Sequence, residues 1–224
     1  MKVGFLLFDD VTQLDAMGPL QFISRMPDAQ TMTIAKTKAP IQSDCPVKLV
    51  PTHDFDDAPA LDFLCVPGGF GTVGAIKDNE IVDYVRTQGG RAEYVTSVCT
   101  GAFILGAAGL LQGKRATTHW AYTDFLPIVG ATHEDARVVR DGNIFTGGGV
   151  TAGIDFALTV IAAIKGESVA QSLQLGLEYN PSPPFNAGTL KTAPDAIGNF
   201  VSSFYDESRA STRAALTDVM EYGR

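Results

Sequence analysis

Cys99 has the sequence surroundings of a nucleophile. It follows an apolar run at residues 94–98 that predicts a buried strand, and a helix is predicted to begin just after Thr100 and Gly101. Small residues two positions away on both sides, Ser97 and Gly101, suit a tight turn that projects one side chain from the sheet edge. Free N–H groups at a helix N-terminus favour thiolate over thiol. We therefore predict a nucleophilic Cys99, the alternative being a small buried hydrophobic residue.

Asp15 is the candidate proton donor and acceptor beside this thiol. It comes shortly after a first apolar run at residues 3–8, which predicts a central strand. Because the carboxyl ends of parallel strands meet at one edge of a sheet, we expect Asp15 and Cys99 at the same edge. A carboxyl in that place can transfer protons during nucleophilic catalysis. A helix-capping role, shared with Asp9 and Asp10, is the alternative for Asp15.

Two glycine-rich turns also point to this edge. Residues 68–71 follow the apolar run at residues 61–66, and residues 147–151 precede a predicted apolar helix. Glycine lets the backbone approach a ligand closely, so such turns can direct N–H groups at developing negative charge. The first turn lacks the lysine and hydroxyl residues of a phosphate-binding loop, and the second is also explained by the start of a helix alone.

His119 is the histidine whose position best suits a site. It comes at the end of a short predicted strand, although a structural role explains it equally well. His53 and His133 occupy polar connections typical of the surface. Cys65 lies inside an apolar strand and Cys45 in a polar loop, so neither is expected to react.

The order of the predicted elements indicates a doubly wound α/β fold. Strands alternate with helical segments, as parallel strands require. The predicted segments are strands at 3–8, 61–66 and 94–98, a helix at 76–88, a hairpin at 138–145, helices at 151–165 and 167–179, and a final surface helix at 194–222.

Composition excludes several classes of function. Of 224 residues, 17 are lysine or arginine and 25 are acidic, giving a net charge of -8 that opposes binding to nucleic acid or to an anionic membrane. No apolar run reaches the length of a transmembrane helix, and the N-terminus has no secretion-signal pattern. Three cysteines without paired spacing predict neither a disulfide framework nor a metal site. We expect one cytoplasmic domain over residues 1–224.

Five motifs, in this order along the chain, resemble those of the DJ-1/PfpI superfamily, and the resemblance extends from Val3 to about Gly188. They are Leu14-Asp15 with Gly18-Pro19, Pro67-Gly68-Gly69, Ser97-Val98-Cys99-Thr100-Gly101, Thr117-Thr118-His119-Trp120, and Gly147-Gly148-Gly149-Val150-Thr151-Ala152-Gly153-Ile154-Asp155. Within the superfamily the chain is similar to the isocyanide hydratases, notably at residues 96–101, 109–122 and 177–188.

The resemblance implies a flavodoxin-like α/β sandwich with a mostly parallel sheet, a homodimer, and a helical extension from about residue 189. It implies Cys99 as nucleophile and Asp15 as its acid partner. Thr100 stands where peptidase-like relatives carry histidine, which argues against proteolysis. Related regulators carry a helix-turn-helix region of about a hundred residues, for which a chain ending at Arg224 leaves no room.

The activity implied is hydration of a small isocyanide to an N-substituted formamide through a covalent thioimidate, with no metal or organic cofactor. Thr100 is expected to orient Asp15 or water, and backbone amides at Gly69, Phe70 and Val150 to hold the sulfur or polarise the intermediate. His119 and Trp120 are possible lining residues. The alternatives are a reactive-carbonyl enzyme using the same cysteine, a redox sensor and a non-catalytic binding domain.

Overall fold

Continuous apolar segments form the middle of the sheet, as expected of strands covered on both faces. The computed structural model describes residues 1–222. Its strands are β1 (Lys2–Leu6), β2 (Gln30–Ala35), β3 (Ile41–Gln42), β4 (Lys48–Leu49), β5 (His53–Asp54), β6 (Phe63–Val66), β7 (Tyr94–Val98), β8 (Arg115–Ala116), β9 (Thr132–His133), β10 (Val138–Asp141) and β11 (Ile144–Gly147).

Seven of these strands form one sheet in the order β10-β11-β7-β6-β1-β2-β5. Every pairing in it is parallel except that of β10 with β11. Those two strands form the predicted hairpin, and Gly142 takes the positive φ of +64° that its turn requires. β3 pairs with β4, and β8 with β9, in two small separate sheets.

Helices cover both faces of the large sheet. They are α1 (Gln13–Ile23), α2 (Thr72–Lys77), α3 (Asn79–Gly89), α4 (Gly101–Ala107), α5 (Ala152–Lys165), α6 (Glu167–Gly176), α7 (Asp195–Phe204) and α8 (Asp206–Tyr222), with a 3-10 helix at Trp120–Val129. α1 and α5 pack on one face, whereas α2, α3, α4, α8 and the 3-10 helix pack on the other. The predicted flavodoxin-like α/β arrangement is confirmed.

Alternation along β6 shows how one strand supplies both layers of the core. Phe63 and Cys65 pack with the side chains of α1 and α5, while Leu64 and Val66 pack with those of the opposite helices. All four side chains are fully buried. A strand with two buried faces needs the unbroken apolar sequence seen at residues 61–66.

The helix predicted at residues 76–88 is two helices. Asp78 separates α2 from α3, and its carboxylate accepts hydrogen bonds from the backbone N–H groups of Glu80 and Ile81. A capping aspartate starts a new helix because it satisfies N–H groups that have no partner in the preceding turn.

The helix predicted at residues 194–222 is also two, α7 and α8, which meet at Tyr205. Most of α8 lies at the surface, and Ala215 and Leu216 on one side of it are fully buried against the core. Gly223 and Arg224, which complete the predicted domain, lie outside the described residues. In the part of the chain that is described, no helix has the length and apolar character needed to cross a membrane.

Candidate active site

Cys99 occupies a strained turn between β7 and α4. Its φ is +57°, a left-handed conformation that costs a residue with a Cβ atom about 1–2 kcal/mol. The backbone N–H of Cys99 donates to the carbonyl oxygens of Gly147 and Gly148, both at 3.0 Å. The Thr118 hydroxyl donates to the Cys99 carbonyl at 2.7 Å. These bonds hold the strained residue from both sides.

Close backbone packing explains why the residue at position 101, just after the turn, is glycine. A Cβ atom on Gly101 would lie 2.1 Å from the carbonyl oxygen of Val66, which is closer than any real contact. Gly68 is equally confined, since its Cβ atom would lie 2.5 Å from the backbone nitrogen of Thr100. The start of α4 therefore fits directly against the loop that follows β6.

Asp15 lies on α1 and is completely buried at the same edge of the sheet. Its Oδ2 accepts a hydrogen bond from the Gly68 N–H at 3.0 Å. Its Oδ1 has no hydrogen-bond partner within residues 1–222. Burial raises the pKa of Asp15 from 3.8 to about 7, although the Gly68 N–H and the neighbouring Cys99 thiol both act to lower it.

The Cys99 thiol lies beside this carboxyl, and its pKa is raised well above 9.0. Burial is the main cause, and the negative charge of Asp15 adds to it. The backbone N–H groups of Thr100 and Val150 act in the opposite direction, as the sequence predicts for amides beside the sulfur. Near neutral pH the sulfur therefore holds its proton more tightly than the carboxyl does, and the two groups titrate as a coupled pair.

The Thr100 hydroxyl is engaged with the glycine loop. It accepts a hydrogen bond from the Gly69 N–H at 3.0 Å and lies 2.8 Å from the hydroxyl of Thr72. Thr100 thus fixes the loop, and the hydrogen bond expected from it to Asp15 is not formed in the described structure. The Gly69 N–H group, which was expected to hold the sulfur or the intermediate, is bonded to the Thr100 hydroxyl instead. The Val150 N–H group faces the sulfur as predicted.

The sulfur borders a cavity of about 190 Å³, large enough for a small organic molecule. The cavity is bordered by residues from seven separate stretches of sequence. They are Thr12, Asp44, Gly69, Phe70, Cys99, Thr100, His119, Tyr122, Val150 and Tyr205. Four aromatic rings among them give the cavity an apolar wall beside a nucleophile and a buried acid, an arrangement suited to adding a proton and a sulfur to an electrophilic carbon.

Of the two predicted lining residues, His119 borders this cavity and Trp120 does not. The Trp120 ring packs against His119, with ring centroids 5.4 Å apart, and borders a separate cavity of about 90 Å³ formed with residues 187–201. His119 is buried, which lowers its pKa to about 4 and keeps its ring neutral.

Four lining residues were not predicted: Thr12, Asp44, Tyr122 and Tyr205. Thr12 stands three positions before Asp15, so its proximity to the motif was a usable signal. Asp44 and Tyr205 belong to segments far from every motif, and only the fold brings them to the cavity.

Comparison with known proteins finds a matching family and similar proteins that cover most of the chain. The sequence profile of the DJ-1/PfpI family matches residues 1–163. An isonitrile hydratase from Pseudomonas putida is 53% identical over 197 residues, which cover 88% of this chain and 86% of the relative. Isonitrile and isocyanide are two names for the same functional group.

A second relative shares the fold almost throughout. The crystal structure of a ThiJ/PfpI family protein from Pseudomonas syringae superposes with a TM-score of 0.93 at 40% identity, covering 96% of this chain and 90% of that one. The transcriptional regulator GbdR from Pseudomonas aeruginosa is 27% identical over 77% of this chain, but the match covers 49% of the regulator. The chain belongs to the DJ-1/PfpI family.

Proposed function

We propose that this protein hydrates isocyanides to N-substituted formamides, with Cys99 as the nucleophile and Asp15 as the group that transfers protons. The observation that carries the proposal is the buried Cys99 and Asp15 pair beside a small aromatic cavity. The choice of isocyanide hydration as the reaction rests on the isonitrile hydratase of Pseudomonas putida, which is 53% identical to this chain over 86% of its own length.

In the first step the Cys99 thiol passes its proton to the Asp15 carboxylate, the resulting thiolate attacks the terminal carbon of R–N≡C, and Asp15 gives the proton to that carbon. A C–S bond and a C–H bond form, and the product is a thioimidate, Cys99–S–CH=N–R. The raised pKa of Asp15 supports this role, because an acid with a pKa of about 7 can be protonated at neutral pH and still release its proton.

In the second step the Asp15 carboxylate takes a proton from water as the water oxygen bonds to the thioimidate carbon. The C=N electron pair moves to nitrogen, and Asp15 returns the proton there. Asp15 then accepts the remaining hydroxyl proton while the C–S bond breaks. The products are R–NH–CHO, the Cys99 thiolate and a protonated Asp15, which returns its proton to the sulfur and so restores the starting thiol.

The surrounding backbone assists the sulfur in this scheme. The N–H groups of Thr100 and Val150 stabilise the thiolate, which burial would otherwise disfavour. The Thr100 hydroxyl positions the Gly69 loop, whose neighbour Gly68 binds Asp15. Phe70 contributes an exposed aromatic edge to the cavity for the R group.

A redox-sensing role has weaker support at this cysteine. Sensor thiols are accessible and have a low pKa, whereas Cys99 is 5% exposed and its pKa is raised.

We further propose a cytoplasmic homodimer. Free thiols at Cys45, Cys65 and Cys99 suit a reducing compartment. Exposed apolar side chains on α6 and α7, among them Leu175 and Phe200, suit a covered surface.

Mass spectrometry of rapidly quenched turnover tests the covalent step. Wild-type protein mixed with an aryl isocyanide should gain the mass of one isocyanide molecule, located on Cys99. The Cys45→Ala variant should form the same adduct, and Cys99→Ala should form none. An adduct confined to Cys45 or Cys65, or no adduct while formamide is produced, would contradict the proposed mechanism.

A further inference from the structure

The imidazole of His119 has a defined tautomer. His119 is the N-cap of the 3-10 helix, and its Nδ1 accepts a hydrogen bond from the backbone N–H of Ala121 at 3.2 Å. A backbone N–H can only donate, so Nδ1 carries the lone pair. A neutral ring in this arrangement has its proton on Nε2.

The His119 ring borders the same cavity as the Cys99 sulfur. A Cβ atom built on Gly149 would be 3.1 Å from Nε2, which places this edge of the ring against the backbone that leads to the Val150 amide. The Val150 amide in turn faces the Cys99 sulfur. The preceding Thr118 hydroxyl is bonded to the Cys99 carbonyl, so His119 is fixed relative to the nucleophile.

The Nε2–H group has no acceptor among residues 1–222, since the bond to Ala121 is the one the described ring makes. His119 is 7% exposed, and burial lowers its pKa to about 4. The ring is therefore a hydrogen-bond donor throughout the neutral range and not a proton donor, because giving up Nε2–H would create an imidazolate.

We infer that Nε2–H of His119 donates a hydrogen bond to the substrate nitrogen and stabilises the negative charge that develops there. This inference rests on the proposed isocyanide hydration. Charge reaches nitrogen when water adds to the thioimidate carbon, as the C–O bond forms and the C=N electron pair shifts. Asp15 supplies the proton that nitrogen finally keeps, and His119 retains its own.

Two amide substitutions separate this role from capping. Asparagine at position 119 presents Oδ1 near the place of Nδ1, which preserves the cap to Ala121 but has no donor at the place of Nε2. Glutamine presents an N–H donor near the place of Nε2 and sacrifices the cap. Both variants lack the imidazole ring. A difference in kcat between them therefore shows whether catalysis depends on the acceptor at the place of Nδ1 or on the donor at the place of Nε2.

We would measure formamide production from a simple isocyanide, together with melting temperature, for wild type, His119→Asn and His119→Gln. The kcat of His119→Asn should fall about a hundredfold with little change in KM, as when one donor to a transition-state charge is removed. His119→Gln should keep a kcat at least tenfold above that of His119→Asn despite a lower melting temperature.

Equal kcat values in the two variants, or a higher kcat in His119→Asn, would overturn the inference and leave His119 as a structural cap. Failure of the proposed function looks different, because the wild-type protein itself would then produce no formamide. The melting temperatures identify any loss of activity that comes from unfolding.

Discussion

Burial sets the proton affinity of both reacting side chains. Asp15 and Cys99 are each within 5% of full burial, and both hold a proton more tightly than in water. The Gly68 N–H group acts to lower the pKa of the Asp15 carboxyl. The N–H groups of Thr100 and Val150 act to lower the pKa of the Cys99 thiol. The pair therefore stays poised to move a single proton between sulfur, carboxyl and substrate.

Replacing Asp15 by asparagine should reveal the cost of burying its charge. The folded-state pKa is about 7 against 3.8 for the free group, so wild-type stability from this site is complete below pH 3.8 and is lost as pH rises through 7. Asp15→Asn stays neutral at every pH. Relative to wild type its free energy of unfolding should therefore rise between pH 4 and pH 8, by at most about 4 kcal/mol.

Urea unfolding of both proteins at pH 5 and pH 8 measures this difference. A stability difference that is the same at both pH values would show that Asp15 is not held with a raised pKa. The variant should also lose isocyanide turnover, since an amide cannot donate and recover the proton.

The reacting residues were the part of the site that sequence could indicate. Cys99 has a local turn pattern, and Asp15 lies in a motif at a strand end. The partner of the Thr100 hydroxyl was not predictable, because it depends on the loop after β6 crossing the start of α4. For the same reason the occupied amide of Gly69 appears only in the folded chain.

At the scale of elements, the junction between α7 and α8 completes the cavity. Tyr205 stands at that junction, and its ring lies 5.1 Å from His119, 5.9 Å from Tyr122 and 6.4 Å from Phe70, measured between centroids. Polar contacts hold α8 in place, with Arg209 paired to Asp124 at 3.0 Å. The C-terminal helices thus contribute one wall of the site.

Removing this wall should affect large substrates most. Tyr205→Ala deletes a ring that packs on five others, three of which border the cavity, and aromatic contacts of this kind are each worth about 0.5–1.5 kcal/mol. We expect KM for phenyl isocyanide to rise about threefold to tenfold, with a smaller change for methyl isocyanide. Steady-state kinetics with both substrates measures the effect.

Phe185→Ala is the control, because the Phe185 ring is 80% exposed and does not border the cavity. Its kinetics should follow the wild type. Equal loss for both substrates in Tyr205→Ala would show that the ring supports the fold and does not select the R group.

Strands were easier to predict than helix boundaries. A short, almost unbroken apolar segment such as residues 61–66 is typical of a strand that is buried on both faces, so its position in the sheet could be predicted. Helical periodicity continues across a break, so it did not reveal that Asp78 begins α3 or that Tyr205 separates α7 from α8. The sequence did not show which side of α8 faces the core, because its buried residues, Ala215 and Leu216 among them, sit within an otherwise polar helix.

On the scale of the whole molecule, each of the helices α6 and α7 leaves apolar side chains uncovered. α7 has no buried residue, and its Ile197, Phe200 and Phe204 side chains are 50–73% exposed. Leu175 on α6 is 83% exposed. Such side chains on ordinary monomers are scattered, and the presence of three on the single helix α7 is typical of an association surface.

Sedimentation should therefore find a species of twice the 23.8 kDa of one chain at micromolar concentration. Substituting Phe200 by aspartate should weaken the dimer if α7 contributes to it, since a charge would be placed in an apolar contact. A wild-type protein that sediments as a single chain would contradict the proposed dimer.

Formamide production by purified protein tests the central claim most directly. Wild type and Cys45→Ala should convert a simple isocyanide to its formamide at similar rates, whereas Cys99→Ala should give no product above the uncatalysed rate. Absence of formamide from the wild type would contradict isocyanide hydration, and full activity in Cys99→Ala would contradict the assignment of the nucleophile.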